Sequence, residues 1–197
     1  MNISITTAGI HFGDAPRLKL RKRDYVSRRA AVDETRAPRE NAFNAACRVR
    51  HALRISRLCE RIELAGSLRR GVADCGDIDI LVVASDAQAV FDCVASDRGT
   101  ASTLSRGNVK ASFMVNLGGG GEIQCDVRII PAESFGAGLL YFTGSREHNI
   151  VMRQKAMARG WKLNEYGLFN GEECIAGESE QSIFAALGMG YIAPEGR

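Results

Sequence analysis

The sequence predicts an α/β (α+β) protein, and three observations carry that prediction. Ile78, Ile80, Leu81, Val82 and Val83 make an apolar run that reads as a buried strand. Ile123, Cys125, Val127 and Ile129 alternate with Gln124, Asp126 and Arg128, as on a strand with one covered face. Two further stretches repeat at helical spacing: Ala42, Ala46, Val49 and Leu53, then Ala87, Val90, Phe91 and Val94. At 197 residues and 45% hydrophobic content, the chain can bury a sizeable core, in one domain or in one domain with a small appendage.

Residues 1–39 read as a basic extension. Asn2–Thr6 suits a short strand, and Arg17–Arg29 is cationic, suited to a phosphate-contacting arm, a localisation signal or a solvated tail. A helix is expected from about Arg39 to Glu60, with Arg48, Arg50, Arg54 and Arg57 solvated around it, and then a strand over Arg61–Leu64. The Asp77–Val83 strand leads to a helix capped by Ser85 or Asp86. Lys110–Leu117 is a strand, and Gly118–Gly121 a hairpin loop without the Gly-Lys-Ser/Thr ending of a P-loop. The return strand is Glu122–Ile130, ended by Pro131. Beyond it come a short helix over Ala132–Leu140 and a helix over 145–159, with Ile150 and Met157 as its core and Gly160 as its stop. A hairpin strand over Lys162–Phe169 and a short helix plus tail over Phe184–Arg197 complete the chain.

Composition excludes several classes. No apolar run approaches the ~18 residues of a membrane-spanning helix, and the N-terminus lacks the layout of a signal peptide. The six cysteines form no Cys-x-x-Cys pair and the three histidines are scattered, so reduced thiols in a cytoplasmic protein are expected rather than zinc or disulfides. Net charge is +3 but lopsided. Residues 1–70 hold 16 Lys/Arg against 7 Asp/Glu, and residues 71–197 hold 10 against 16. A basic third joined to an acidic remainder suits a phosphate-rich polymer partner.

The chemistry concentrates in residues 66–79. Side chains alternate along a strand, so Asp77 and Asp79 share one face while Ile78 and Ile80 take the other. Two carboxylates roughly 6–7 Å apart repel unless a cation lies between them, and oxygen ligands with no His or Cys nearby suit Mg²⁺. Upstream, Gly66 lets backbone approach a phosphate, Ser67 offers a hydroxyl, and Arg69 and Arg70 offer guanidinium forks. Each part alone has a bland explanation as a surface strand, a turn or a solvated face. In this order they read as a metal–triphosphate site. On the adjacent alternating strand, Asp126 stands where a third metal carboxylate would have to come from.

This stretch resembles, without a gap, the nucleotidyltransferase signature of family X DNA polymerases, the DNA polymerase beta group, in which Gly-Ser leads to a Gly-Asp-x-Asp strand. Asp126-Val127-Arg128 fits the family's later Asp-x-Arg, and Tyr141-Phe142-Thr143-Gly144-Ser145 is a specific family string. The resemblance covers about residues 40–197. It implies a mixed-sheet nucleotidyltransferase palm over 40–131 and a small C-terminal, thumb-like α+β subdomain that selects nucleotide over 132–197. It implies that Asp77 and Asp79 serve two Mg²⁺ ions (Mn²⁺ as substitute) and that Asp126 serves the ion at the primer 3′-hydroxyl, with Arg128 orienting an acid. By the same resemblance, Gly66, Ser67, Arg70 and the Gly76 amide would bind the triphosphate, and Tyr141, Phe142 and Gly144 would line the incoming sugar, with a cis Gly144–Ser145 peptide expected. Asn149 and Arg153 would reach the minor-groove edges of the nascent pair and the DNA.

The expected function is therefore template-directed DNA synthesis, with short-gap repair on gapped DNA or a primer–template as the setting, dNTPs as substrates, a monomer as the state and no membrane partner. Family members usually carry lyase and fingers domains, and thirty-nine residues are too few for both. The alternatives are a template-independent nucleotidyltransferase and a non-catalytic DNA-end-binding module; clustered acids beside phosphate-binding residues weigh against the second.

Overall fold

In the computed structural model, which describes residues 36–197, the chain enters through a two-residue strand, Ala37–Pro38 (β1), and an 18-residue helix, Arg39–Ser56 (α1). The readings made for Asn2–Thr6 and Arg17–Arg29 lie outside the described residues. Helix α1 stops four residues short of the expected Glu60 because Arg57 turns left-handed (φ 58°) and its N–H bonds back to the Arg54 carbonyl. Strand Arg61–Leu64 (β2), a four-residue helix Gly66–Arg69 (α2), strands Asp74–Cys75 (β3) and Asp77–Val83 (β4), and helix Ala87–Ala95 (α3) follow. Asp86 caps α3, its Oδ1 accepting from the Ala89 N–H at 3.0 Å.

Strands Thr100–Arg106 (β5), Lys110–Asn116 (β6) and Glu122–Ile129 (β7) complete a five-stranded sheet in the order β2-β4-β7-β6-β5. Only β4 and β7 run parallel within it; the other pairs are antiparallel, so the sheet is mixed. The short pair β1–β3 ties the start of α1 to the segment before Asp77.

The burial pattern explains the sequence patterns. On one face Ile78, Ile80 and Val82 of β4, Phe113 and Val115 of β6, and Ile123, Cys125 and Val127 of β7 pack against α1 and α3. On the other face β4 is split: Asp77 and Asp79 lie at its start, while Leu81 and Val83 are covered further along. The strand therefore reads as continuously apolar only over its second half.

What covers that second half is helix Phe135–Thr143 (α4), which follows a single 3₁₀ turn, Ala132–Ser134. Phe135 and Leu139 face the sheet with Leu81, Val83 and Ile130, whereas Ala137 and Leu140 face a separate core. That second core is completed by helix Arg146–Met157 (α5), the antiparallel strands Lys162–Asn164 (β8), Gly167–Asn170 (β9) and Glu173–Ala176 (β10), and helix Glu180–Ala186 (α6). Gly136 and Gly138 let α4 fit between these bodies: a Cβ on Gly136 would strike the Ser179 backbone, and one on Gly138 would press on Ile130 at 3.2 Å.

One core assignment is corrected. Ile150 is 37% and Met157 70% exposed, and α5 instead buries Met152 and Ala156. Apolar residues occur on several sides of this helix, and the face that is covered is the one turned to Leu140, Leu168 and Phe184. The closing helix also begins at Glu180 rather than Phe184, where Ser179 caps it by accepting from the Ser182 N–H. All six cysteines are free. Among the described residues, no helix is long and apolar enough to cross a membrane.

Candidate active site

The parallel pairing of β4 with β7 sets Asp79 directly opposite Asp126, and Asp77 opposite Gln124. The antiparallel pairing of β6 with β7 then brings Ser112 opposite Asp126 and Lys110 opposite Arg128. Partners in register share a face, so three carboxylates gather on the side of the sheet away from α1 and α3. Their environments differ. Burial, then the charge of Asp126, holds the Asp77 carboxyl above the usual range. Burial, then the charges of Asp77 and Asp126, pushes Asp79 up to about 7. Burial also opposes ionisation of Asp126, but hydrogen bonds from Lys110, Ser112 and Gln124 outweigh it and hold that carboxyl below the usual range. Lys110 Nζ lies 2.6 Å from Asp126 Oδ2, and Gln124 Nε2 donates to Oδ1 at 2.9 Å.

The turn ahead of the acids is compressed against them. Gly66 has φ 61°, and a Cβ there would collide with Asp79 Oδ2, so glycine is required on two counts. Ser67 Oγ is buried and, among the described residues, has no hydrogen-bond partner. Arg70 donates to the Thr143 carbonyl at the end of α4. Its neighbour Arg69 donates to Thr143 Oγ1 at 2.7 Å and forks onto Glu180 at 2.8 and 2.7 Å. Glu180 also accepts from Arg197 Nη1 at 2.6 Å and from the Tyr191 hydroxyl at 3.1 Å. This buried knot fastens α2 to α6.

Between α2, the start of β4 and the α4–α5 junction lies an open cleft of about 470 Å³. Gly66, Ser67, Arg70, Asp77, Asp79, Tyr141, Phe142, Gly144, Asn149 and Arg153 all line it, as do Thr143, Ser145 and Arg146. The Gly144–Ser145 peptide is cis. Ser145 then caps α5, accepting from the His148 N–H at 3.2 Å, while Asn149 Nδ2 donates to the Tyr141 carbonyl at 2.7 Å. Tyr141 and Phe142 meet edge to face, ring centroids 5.1 Å apart.

The sequence-predicted residues thus fall into one neighbourhood: ten line the cleft, Gly76 directly precedes Asp77, and Asp126 neighbours Asp79 across the sheet. Arg128 lies within ion-pair distance of Asp126, at 3.6 Å, and its guanidinium also stacks over Phe142 at 4.3 Å; Lys110, at 2.6 Å, is the nearer cation. Sequence reasoning also passed over Arg36, whose charge acts on Asp77 and whose Nη1 would lie 3.8 Å from a Cβ on Gly76. It passed over Glu180 and Arg197, for which no local pattern gave a signal. Arg69 stood in the motif but turns away from the acids to Glu180.

The acids suit a hard divalent cation chemically. They are oxygen donors whose mutual repulsion raises two of their pKa values, and among the described residues no hydrogen-bond donor offsets the burial of Asp77 or Asp79. They do not form a closed cage, however. Among the described residues, no three His, Cys, Asp or Glu side chains gather closely enough to hold a metal by themselves. Asp126 is drawn toward β6 by Lys110.

Comparison with known proteins gives two matches along the chain. Residues 36–116 match the DNA polymerase beta palm, and residues 138–197 match the DNA polymerase beta thumb. The chain is 32% identical over 157 residues to the DNA polymerase/3′-5′ exonuclease PolX of Bacillus subtilis, covering 74% of this chain and 27% of that protein. It is 30% identical over 191 residues to DNA polymerase lambda of Rattus norvegicus, covering 82% of this chain and 33% of that protein. DNA polymerase lambda of Arabidopsis thaliana is 26% identical over 171 residues, with 69% and 31% covered. The chain therefore spans about a quarter to a third of the length of these relatives.

Proposed function

The chain belongs to family X of the DNA polymerases, and from that premise we propose that it is a DNA-directed nucleotidyltransferase that adds deoxynucleotides to a DNA 3′-end. The observation that carries the reading is the row of Asp77, Asp79 and Asp126 on one sheet face, beside a cleft that presents the buried Ser67 hydroxyl, unpartnered among the described residues. A pure binding module would have no use for clustered carboxylates next to a phosphate-binding turn, because they repel the ligand.

Ser67, Arg70 and the Gly76 amide hold the triphosphate, and Arg36 adds a cation beside Gly76 and Asp77. Asp77, Asp79 and Asp126 would hold the Mg²⁺ ions. Bound there, Mg²⁺ would supply a lowered pKa for an attacking 3′-hydroxyl and neutralisation of charge on the transferring phosphorus. Tyr141 and Phe142, with the Gly144 backbone, form the wall against the incoming sugar. Asn149 and Arg153 face the cleft from α5 and reach the base-pair edges once DNA is seated. Arg128, stacked on Phe142 and near Asp126, links the acids to that wall. Filling of short gaps is the setting proposed.

Primer extension with Mg²⁺ on gapped, recessed, blunt and single-stranded DNA tests this. Extension that copies the template and is strongest on gapped DNA is expected. Equal extension of single strands would replace the reading with template-independent transfer, and no extension on any substrate, with DNA still bound, would replace it with an end-binding module.

A further inference from the structure

Resting on the reading of Asp126 as a metal ligand, we infer that Lys110 is a positioning residue whose ion pair keeps this carboxylate oriented, with the metal bound as well as without it. Lys110 stands opposite Arg128 in the β6–β7 register, two residues along from the Ser112–Asp126 pair, and on the same face. From there its four-carbon stem reaches diagonally to Asp126 Oδ2 at 2.6 Å, while Gln124 takes Oδ1 at 2.9 Å. Both oxygens are thus oriented by this chain's own donors. Arg128, the other cation in reach, lies 3.6 Å away with its guanidinium laid on Phe142.

The pairing is selective. Asp77 and Asp79 have no ion pair among the described residues, whereas Asp126, buried with its side chain 7% exposed, has its counter-ion built in. It also accounts for the open cage: the third acid points to β6 rather than to the other two. A dication entering between the three acids meets an ammonium on one of its ligands, and two like charges a few ångströms apart repel even in a partly hydrated site. Lys110 therefore weakens binding of the metal to the free protein, and by fixing the carboxylate it raises the rate once the metal is in place.

These two effects have opposite signs, which a merely structural lysine would not produce. The test compares wild type, Lys110→Met and Lys110→Arg at pH 8, measuring Mn²⁺ binding by electron paramagnetic resonance without DNA or nucleotide, and primer extension separately. In Lys110→Met, Mn²⁺ is expected to bind roughly tenfold more tightly, while turnover falls by more than tenfold. Lys110→Arg, which keeps the charge, should restore the wild-type pattern to within a few-fold. Parallel loss of metal affinity and turnover in Lys110→Met, or no change in either, would overturn the inference. Wild type that binds Mn²⁺ with the expected Lys110→Met shift yet extends no primer would retain the ion-pair role and remove only the polymerase reading.

Discussion

Replacing Glu180 with alanine should cost far more stability than an average substitution. The carboxylate is 4% exposed and receives four donations: two from Arg69, one from Arg197 and one from the Tyr191 hydroxyl. Its partners are equally committed, the Arg197 side chain being fully buried and that of Arg69 20% exposed. Removing the acid leaves two guanidinium groups without a counter-charge inside the protein, a change that costs ~3–5 kcal/mol where a buried pair is broken from one side. At ~2–4 °C per kcal/mol for a chain of this size, the melting temperature should fall by about 6–20 °C. Urea titration and thermal unfolding followed by circular dichroism would measure both. The loss should be nearly independent of ionic strength, because a buried pair is little screened. Burial opposes ionisation of Glu180, but Arg69 and Arg197 outweigh it and hold its carboxyl below the usual range. The sign follows: a depressed folded pKa gives stability that is present above the ordinary glutamate value and lost as pH falls through the folded one. The gap between wild type and variant should therefore close in acid, below about pH 4. A loss under ~1 kcal/mol at pH 7 would refute the reasoning and make the knot an exposed ion pair in disguise.

Asp79, with its carboxyl raised to about 7, carries the opposite sign: the metal-free protein should lose stability as pH rises from about 4 to 7. Added Mg²⁺ should restore it, and a melting temperature flat across that range without metal would show that the three acids do not interact. Asp126→Asn should abolish nucleotide addition while leaving nucleotide affinity largely intact, since an interaction made in the transition state affects turnover more than ground-state binding; turnover within tenfold of wild type sinks its assignment. Deleting residues 1–30, which removes the Arg17–Arg29 cluster, should flatten the log–log salt dependence of DNA binding by several units, at about 0.9 for each phosphate no longer neutralised. An unchanged slope in the folded fraction would reduce that segment to a solvated tail.

Much of the site was legible because its parts are local. Gly66, Ser67, Asp77 and Asp79 lie within fourteen residues, and strand periodicity alone puts the two acids on one face. Asp126 could be read from the alternation of β7. Lys110 could not be paired with it, since a diagonal approach depends on the register of β6 against β7, which no single strand encodes. Glu180 is 111 residues from Arg69, and its partners are chosen by the packing of α6. Strand β5 went unread because Thr100–Arg106 is almost wholly exposed, an edge with neither an apolar run nor an alternating face. The buried side of α5 was misjudged for the complementary reason: apolar residues on several sides leave the choice of face to the neighbours.

Helix α4 has a consequence for how this protein could be rebuilt or inherited in pieces. Its Phe135 and Leu139 belong to one core, its Ala137 and Leu140 to another; Gly136 admits no side chain beside Ser179, and Gly138 leaves little room beside Ile130. A cut placed before α4 strips the cover from Leu81 and Val83; a cut placed after it removes Leu140 from beside Met152 and Phe184. Neither half is a transplantable module. An exchange of C-terminal lobes between relatives must carry α4 together with Ile130 and the Ser179 turn, or supply both packing surfaces anew.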